Sequence, residues 1–374
     1  MGDHSISTSD PRADYLAHRS ELDAAIRSVL EGPAYILGEQ VERFEEAFAA
    51  YVGVAHGVGV NNGTDAIHLA LRALGIGAGD EVITVSQTAV ATVAAIRMSG
   101  ADPVLADVDA LTCTLDPEAV LPLITPRTKA VIAVHLYGHP ADLSRLSTLC
   151  EARDLRLIED CAQAHGALHG DRMVGSFGDV STFSFYPTKN LGAIGDAGMV
   201  LTKDAELALK VRRLRQYGWD TPQYSLVEGW NSRLDPLQAA ILAVKLRHLE
   251  ESNDRRRALA ARYFAELADL PVQLPRAKAR MRHVYHLFVV RTVDLATREA
   301  LLAHLLAAGI RAAVHYPTPV HLQPAYRGVL RTGPMPVTEQ LAGTVLSLPL
   351  HPALTDEQQD RVINAMRTFF RPRS

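Results

Sequence analysis

Short, β-branched apolar runs at Glu81–Val85, Ala130–Val134, Leu155–Ile158 and Val180–Phe185 alternate with stretches of helical period at Thr64–Leu74, Ala91–Met98 and Leu143–Arg153. No other property of the chain restricts its fold as much. Strands apolar on both faces need cover on both, and parallel neighbours need a crossover. Residues Gly57 to Thr202 therefore predict an α/β domain with a largely parallel sheet wound by helices. Beyond Thr202 the pattern changes. Helical periods at Asp204–Tyr217 and Leu234–Leu270 lead to a strand at His283–Arg291, a helix near Thr297–Ala308 and a capped helix after Thr355. At 374 residues the chain exceeds one ordinary core, so we expect a large domain, residues 1–250 with the N-terminal segment, and a smaller C-terminal α/β domain, residues 251–374. The Pro-rich stretch His315–Pro324 is too short for a linker and reads as a shaped loop.

Composition removes several function classes. A formal charge of −4 over the whole length provides no broad positive field, which argues against nucleic-acid binding. Cys113, Cys150 and Cys161 are too few and too scattered for a disulfide framework or a metal clip, and they fit a reducing compartment. Met1–Arg12 lacks the layout of a signal peptide and no apolar run reaches membrane-spanning length, so a cytoplasmic protein with no membrane partner is expected. The pairs His135/His139 and His165/His169 have ligand-like spacing, but Gly138, Pro140 and Gly166 interrupt any helix that would align them, and no metal is expected. In Gly57–Gly63 the third glycine comes one residue late for a dinucleotide fingerprint, and no P-loop run occurs.

Lysine is scarce here: the chain has six, Lys129, Lys189, Lys203, Lys210, Lys245 and Lys278. Lys210 and Lys245 fall in helical stretches among charges, Lys129 and Lys278 in polar loops, and Lys203 at a strand end beside Asp204, so all five read as solvated. Lys189 differs. It follows the buried-type strand of Phe183-Ser184-Phe185-Tyr186-Pro187-Thr188 and enters a glycine-rich loop running to Gly198. Ligands of wound sheets gather beyond the carboxyl ends of strands, where a partly desolvated lysine can attack an aldehyde. A solvated surface lysine is the alternative.

Asp160 ends the strand Leu155–Asp160, so its carboxylate is expected in the same crevice, where it suits the protonated ring nitrogen of a Schiff-base cofactor, while Glu159 points to the other face. Capping of Cys161–Ala164 is its bland alternative. The run Asn61-Asn62-Gly63-Thr64-Asp65-Ala66 combines a glycine turn, a hydroxyl and the opening of an amphipathic helix, which together form a phosphate cup. Plain capping by Asn62 or Thr64 is compatible with that role. Ser184 is placed either to add a hydroxyl to the phosphate or to satisfy backbone.

These landmarks, with Gly32–Gly38, His135-Leu136-Tyr137-Gly138, Glu159-Asp160-Cys161-Ala162-Gln163-Ala164-His165-Gly166 and Asn231-Ser232-Arg233-Leu234, give the chain a resemblance to the DegT and StrS sugar aminotransferases over nearly its whole length. Those are fold-type-I pyridoxal-phosphate enzymes. The resemblance implies that Lys189 carries the cofactor as a Schiff base and shuttles the proton, that Asp160 pairs with the ring nitrogen, and that Gln163 bonds the ring hydroxyl. It further implies that Gly63, Thr64, Asp65 and Ser184 hold the phosphate, and that Asn231 reaches it from the partner subunit of a homodimer with shared sites. A helix N-cap before Leu234 is the local alternative for Asn231.

Tyr186, Arg233, His315 and Tyr316 are implied to approach a nucleotide-linked ketosugar, expected to be a dTDP-keto-6-deoxyhexose aminated at carbon three in preference to carbon four, with an amino acid, glutamate, as donor. A Pro-flanked surface turn is the alternative for His315 and Tyr316. Relatives with histidine in place of the lysine act as dehydratases, so lysine favours transamination. Two features depart from the family pattern: Ala89 occupies the expected ring-stacking position within Ser86–Thr92, and Tyr217–Tyr224 has no basic residue for a diphosphate. An aminocyclitol aminotransferase and a non-catalytic regulator are the rival readings. The regulator is disfavoured by the presence of Lys189 and the lack of a basic helix-turn-helix segment.

Overall fold

The structure is a computed structural model that describes residues 5–371. Met1–His4 of the N-terminal segment and the last three residues of the expected small domain lie outside the described residues. The central sheet is built from β1 (His56–Val60), β2 (Glu81–Val85), β3 (Asp102–Ala106), β4 (Thr128–Val134), β5 (Arg156–Asp160), β6 (Val180–Ser184), β7 (Gly198–Thr202) and β8 (Arg331–Thr332), in the spatial order 8-3-2-4-5-6-7-1. Each pair from β8 to β6 is parallel, while β7 runs antiparallel to both β6 and β1. This is the wound, mostly parallel α/β architecture that the alternation predicts.

Helices cover both faces. On one side α1 (Gly63–Ala73) and α2 (Val90–Ser99) bury Ile67, Leu71 and Ile96 against Val82, Ile132 and Ile158 of the strands. On the other, Phe44 and Phe48 of helix Glu39–Val52 meet Phe183 and Phe185 edge-on, with ring centroids 4.9–5.4 Å apart. Burying each such ring is worth about 1.5–3 kcal/mol, so this cluster anchors the strand end from which the Lys189 loop departs. Glu159 lies on the face opposite its neighbour Asp160. Its carboxylate accepts from the amides of Gly175, Phe177 and Gly178 at 2.7–2.8 Å and contacts His135 Nε2 at 3.2 Å. Burial alone would raise the Glu159 carboxyl, but the His135 and amide donors hold it below its usual value.

The C-terminal part packs a two-stranded ladder, Phe288–Arg291 against Val345–Leu348, among helices α3 (Leu249–Leu267), Leu295–Ala307 and Asp356–Phe370, around Tyr263, Phe288, Leu301 and Met366. The proposed division at residue 250 falls in the first turn of α3. Ile6–Ser7 pairs in parallel with Ile310–Arg311, and Ile6 is buried in this C-terminal core, so the described start of the chain fastens to the far end of the sequence.

Four local expectations need correction. The period over Leu234–Leu270 covers two helices, Pro236–Arg247 and α3, separated at His248 (φ −101°, ψ 0°). The turn redirects the chain from the helices on the sheet to the C-terminal core. In His283–Arg291 only Phe288–Arg291 is strand, because the amides of Val284 and Leu287 bond instead to the carbonyls of Gly138 and Tyr137. Lys245 is not solvated: it is 6% exposed, and its ammonium donates to Gly192 O at 2.8 Å and pairs with Asp14 at 2.5 Å. Lys129, expected in a loop, is the exposed second residue of β4.

Candidate active site

The parallel strands end along one edge of the sheet, and the register brings the ends together. Asp160 at the end of β5 lies beside Val134 of β4 and Thr182 of β6, and Ser184 of β6 lies beside Gly198 of β7, which pairs with Val60 of β1. A cavity of about 430 Å³ opens above these ends. Gly63, Thr64, Asp65, Asp160, Gln163, Ser184, Tyr186 and Lys189, all candidates from the sequence, line it.

Lys189 is held in a turn by its amide bond to Tyr186 O at 2.8 Å, and the following Asn190 ties the loop to Asn253 Oδ1 at 2.9 Å and Val284 O at 3.2 Å. Burial lowers the Lys189 ammonium from 10.5 to about 8, against the opposing pull of Asp160. Lysine in the unfolded chain keeps the higher value, so between about 8 and 10.5 the unfolded state binds more protons and stability rises with pH. The same shift governs reactivity. Capture of pyridoxal phosphate by the cofactor-free protein should speed up with pH and level off above about 8, measured as the rate of cofactor uptake. A midpoint near 10.5 would mean that the amine is solvated.

Asp160 accepts the Thr92 hydroxyl on Oδ2 at 2.9 Å and the Ala162 amide on Oδ1 at 3.1 Å. The capping alternative is thus partly realised, but on a turn, since Cys161–Ala164 is not helical. At α1, Asn62 Oδ1 accepts from the Asp65 amide at 2.8 Å and Asn62 O from that of Ala66 at 3.0 Å. The amides of Gly63 and Thr64 are left at the positive end of the helix, without a protein acceptor among the described residues. A side chain at position 63 would not fit, because a Cβ there would lie 2.6 Å from Ser184 Cβ.

Gln163 accepts the Tyr137 amide on Oε1 at 2.7 Å and donates to the Tyr316 hydroxyl at 3.2 Å, which leaves one amide hydrogen free. His315 bonds Ser347 Oγ through Nδ1 at 2.8 Å, and its carbonyl accepts the Tyr137 hydroxyl. The His315–Tyr316 segment is therefore docked on the site, not a free surface turn, although neither residue is among the cavity's lining residues. Burial, and then Lys189, lowers the pKa of His315; burial raises Tyr316 to about 12.

Asn231 and Arg233 lie outside the lining too. Asn231 is exposed and caps no helix, since Asp235 occupies the N-cap position before Pro236, and Arg233 sits 5.8 Å over the Tyr217 ring. Their segment is nonetheless tied to α1, because Ser232 Oγ donates to Asp65 Oδ2 at 2.7 Å. The histidine pairs do not converge. His135 Nδ1 accepts from the Ala141 amide, so its Nε2–H donates to Glu159, while His165 packs among Phe48, Phe183 and Phe185.

Sequence reasoning missed Thr88, Thr92 and Asp196 in the lining. Thr88 precedes the Ala89 N-cap of α2 and Thr92 lies in its first turn, so no helical spacing in the sequence links them. Asp196 offered only its place in the glycine-rich loop. Ala89 borders the cavity, and among the described residues Tyr186, 52% exposed, is the one aromatic side chain in the lining.

The residues suit a phosphorylated aromatic aldehyde. Free helix-start amides beside two hydroxyls match the phosphate, the glycine at position 63 leaves space beside Ser184, and a desolvated amine and a carboxylate border the same cavity. A family model described as the DegT/DnrJ/EryC1/StrS aminotransferase family matches residues 17–367. The dTDP-3-amino-3,4,6-trideoxy-alpha-D-glucose transaminase of Streptomyces venezuelae is 49% identical over 96% of this chain and 95% of its own. The crystal structure of S. venezuelae DesV in complex with a ketimine intermediate superposes with a TM-score of 0.96 at 47% identity, covering 99% of this chain and 100% of that one. NtdA from Bacillus subtilis with bound cofactor PMP superposes with a TM-score of 0.89 at 30% identity, covering 99% and 87%.

Proposed function

The chain belongs to the DegT/DnrJ/EryC1/StrS aminotransferase family, and on that premise we propose that it moves the amino group of L-glutamate onto carbon three of a dTDP-linked 6-deoxy ketohexose. It is a pyridoxal-phosphate-dependent sugar aminotransferase of amino-sugar biosynthesis. The observation that carries the residue assignment is that the Lys189 amine, the Asp160 carboxylate and the start of α1 border one cavity at the carboxyl edge of the sheet. Carbon three is supported by the Streptomyces venezuelae relative, a transaminase named for a 3-amino sugar.

When bound, pyridoxal phosphate supplies an aldehyde and a ring that accepts an electron pair. Gly63, Thr64 and Ser184 would hold its phosphate beside Asp65, whose own amide is taken by Asn62 Oδ1; Asp160 would face the ring nitrogen, and Gln163 would use its remaining amide hydrogen on the ring hydroxyl. Lys189 Nζ carries the proton to and from the reacting carbon of each substrate in turn, which its lowered pKa allows near neutral pH. Tyr186, Arg233, His315 and Tyr316 contact the sugar nucleotide. Two copies form the working unit, with Asn231 of each reaching the other's phosphate site; its exposure, with no helix to cap, leaves it available for that reach. Among the described residues no helix is long and apolar enough to cross a membrane. We place the enzyme in the cytoplasm.

The test is a two-stage incubation of the purified holoprotein. Glutamate alone should yield 2-oxoglutarate and change the visible spectrum of the cofactor. Once glutamate is removed, adding dTDP-3-keto-6-deoxyglucose should give one equivalent of amino sugar per active site by mass spectrometry. Amination at carbon four by NMR would correct the regiochemistry. Amination of a keto-inositol, with no binding of thymidine or uridine diphosphate, would replace the nucleotide-sugar reading with the aminocyclitol one.

A further inference from the structure

The Asp160 carboxylate is not free to turn. Its Oδ1 is taken by the Ala162 amide at 3.1 Å and its Oδ2 by the Thr92 hydroxyl at 2.9 Å. Thr92 is 1% exposed and its hydroxyl lies 3.2 Å from that of Thr88, itself 3% exposed. A hydroxyl has a single proton, and the carboxylate can only accept, so Thr92 donates to Asp160 and Thr88 donates to Thr92. The result is a one-way donor chain from the loop after β2, through the first turn of α2, to the end of β5, with Thr88, Thr92 and Asp160 all on the same cavity. Reorienting either hydroxyl would leave a buried oxygen unsatisfied, and consecutive donors polarise one another.

We propose that Thr92, backed by Thr88, is a positioning residue that locks the plane of the Asp160 carboxylate so that it meets the ring nitrogen of the cofactor. This rests on the reading that Asp160 faces that nitrogen. Nothing in the local sequence gives Thr92 the role; it follows from two elements packed so that a helix hydroxyl meets a strand-end carboxylate.

The test is a binding experiment on the full-length protein freed of cofactor, titrated with pyridoxal phosphate and with an analogue in which a C–H replaces the ring nitrogen. Wild type should bind the true cofactor more tightly than the analogue. Thr92→Val should lose about tenfold in affinity for pyridoxal phosphate yet bind the analogue within about twofold of wild type, because the lost hydrogen bond serves only the ring nitrogen. Thr92→Ser should restore discrimination, and Thr88→Val should lose about threefold in the same selective way. The proposal is overturned if Thr92→Val binds pyridoxal phosphate like wild type, or if it weakens cofactor and analogue equally, as a merely structural role would. Should Thr92→Val not fold, the Thr88→Val and Thr92→Ser ratios decide. A wild type that fails to distinguish the two ligands sinks the Asp160 reading itself, and the role of Thr92 with it.

Discussion

Lys189→Ala is expected to lose at least about four orders of magnitude in turnover with both substrates, since one substitution removes both the nucleophile and the proton carrier. Among the described residues no other lysine lines the cavity. Lys245, buried and bonded to Gly192 O of the same loop and to Asp14, cannot substitute. The fold should survive, because the loop is held mainly by Asn190, by Phe185, and by the backbone bonds of Ala193 and Ala197. Single-turnover assays with glutamate would measure the loss. Borohydride treatment followed by peptide mapping should fix cofactor to residue 189 of wild type and to nothing in the variant. Near-normal turnover without Lys189 would end the assignment.

The second large effect is expected at Asp160. Asp160→Asn is nearly isosteric and retains an oxygen for the Ala162 amide, but it removes the negative charge opposite the ring nitrogen. Turnover should fall by about two to three orders of magnitude. The loss should appear in kcat for both half-reactions, with KM for the sugar nucleotide changed much less, because the carboxylate acts on electrons leaving the reacting carbon and not on the sugar. A variant in which only KM rises would instead make Asp160 a substrate contact. Thermal unfolding of the cofactor-free variant would serve as a control, as the Ala162 amide keeps its acceptor.

Much of the candidate site is legible in the sequence. Lys189 stands out because the five other lysines read as solvated, and it lines the cavity, although Lys245, one of those five, is buried. Asp160 and Glu159 were separated by strand alternation alone, and the two carboxylates do occupy opposite faces. The phosphate cup was read from a glycine, a cap and a helix start, all local properties. The shape of the His283–Arg291 segment was not legible, since a β-branched run does not reveal that Val284 and Leu287 will bond to the turn at Tyr137–Gly138. Nor was the break at His248, where the helical period continues while the chain passes from one core to another.

Side-chain periodicity, strand alternation and helix-end chemistry act between residues a few positions apart, so the wound sheet, the lysine loop and the carboxylate at a strand end are legible in the chain without its packing. The docking of His315 and Tyr316 on Tyr137 and Gln163, the seating of Lys245 under the loop, and the Thr88–Thr92–Asp160 chain arise from how distant elements pack. Asp160 lies 68 residues beyond Thr92, and His315 lies 178 beyond Tyr137. Contacts at such separations depend on how whole elements pack to exclude water, which no local period records.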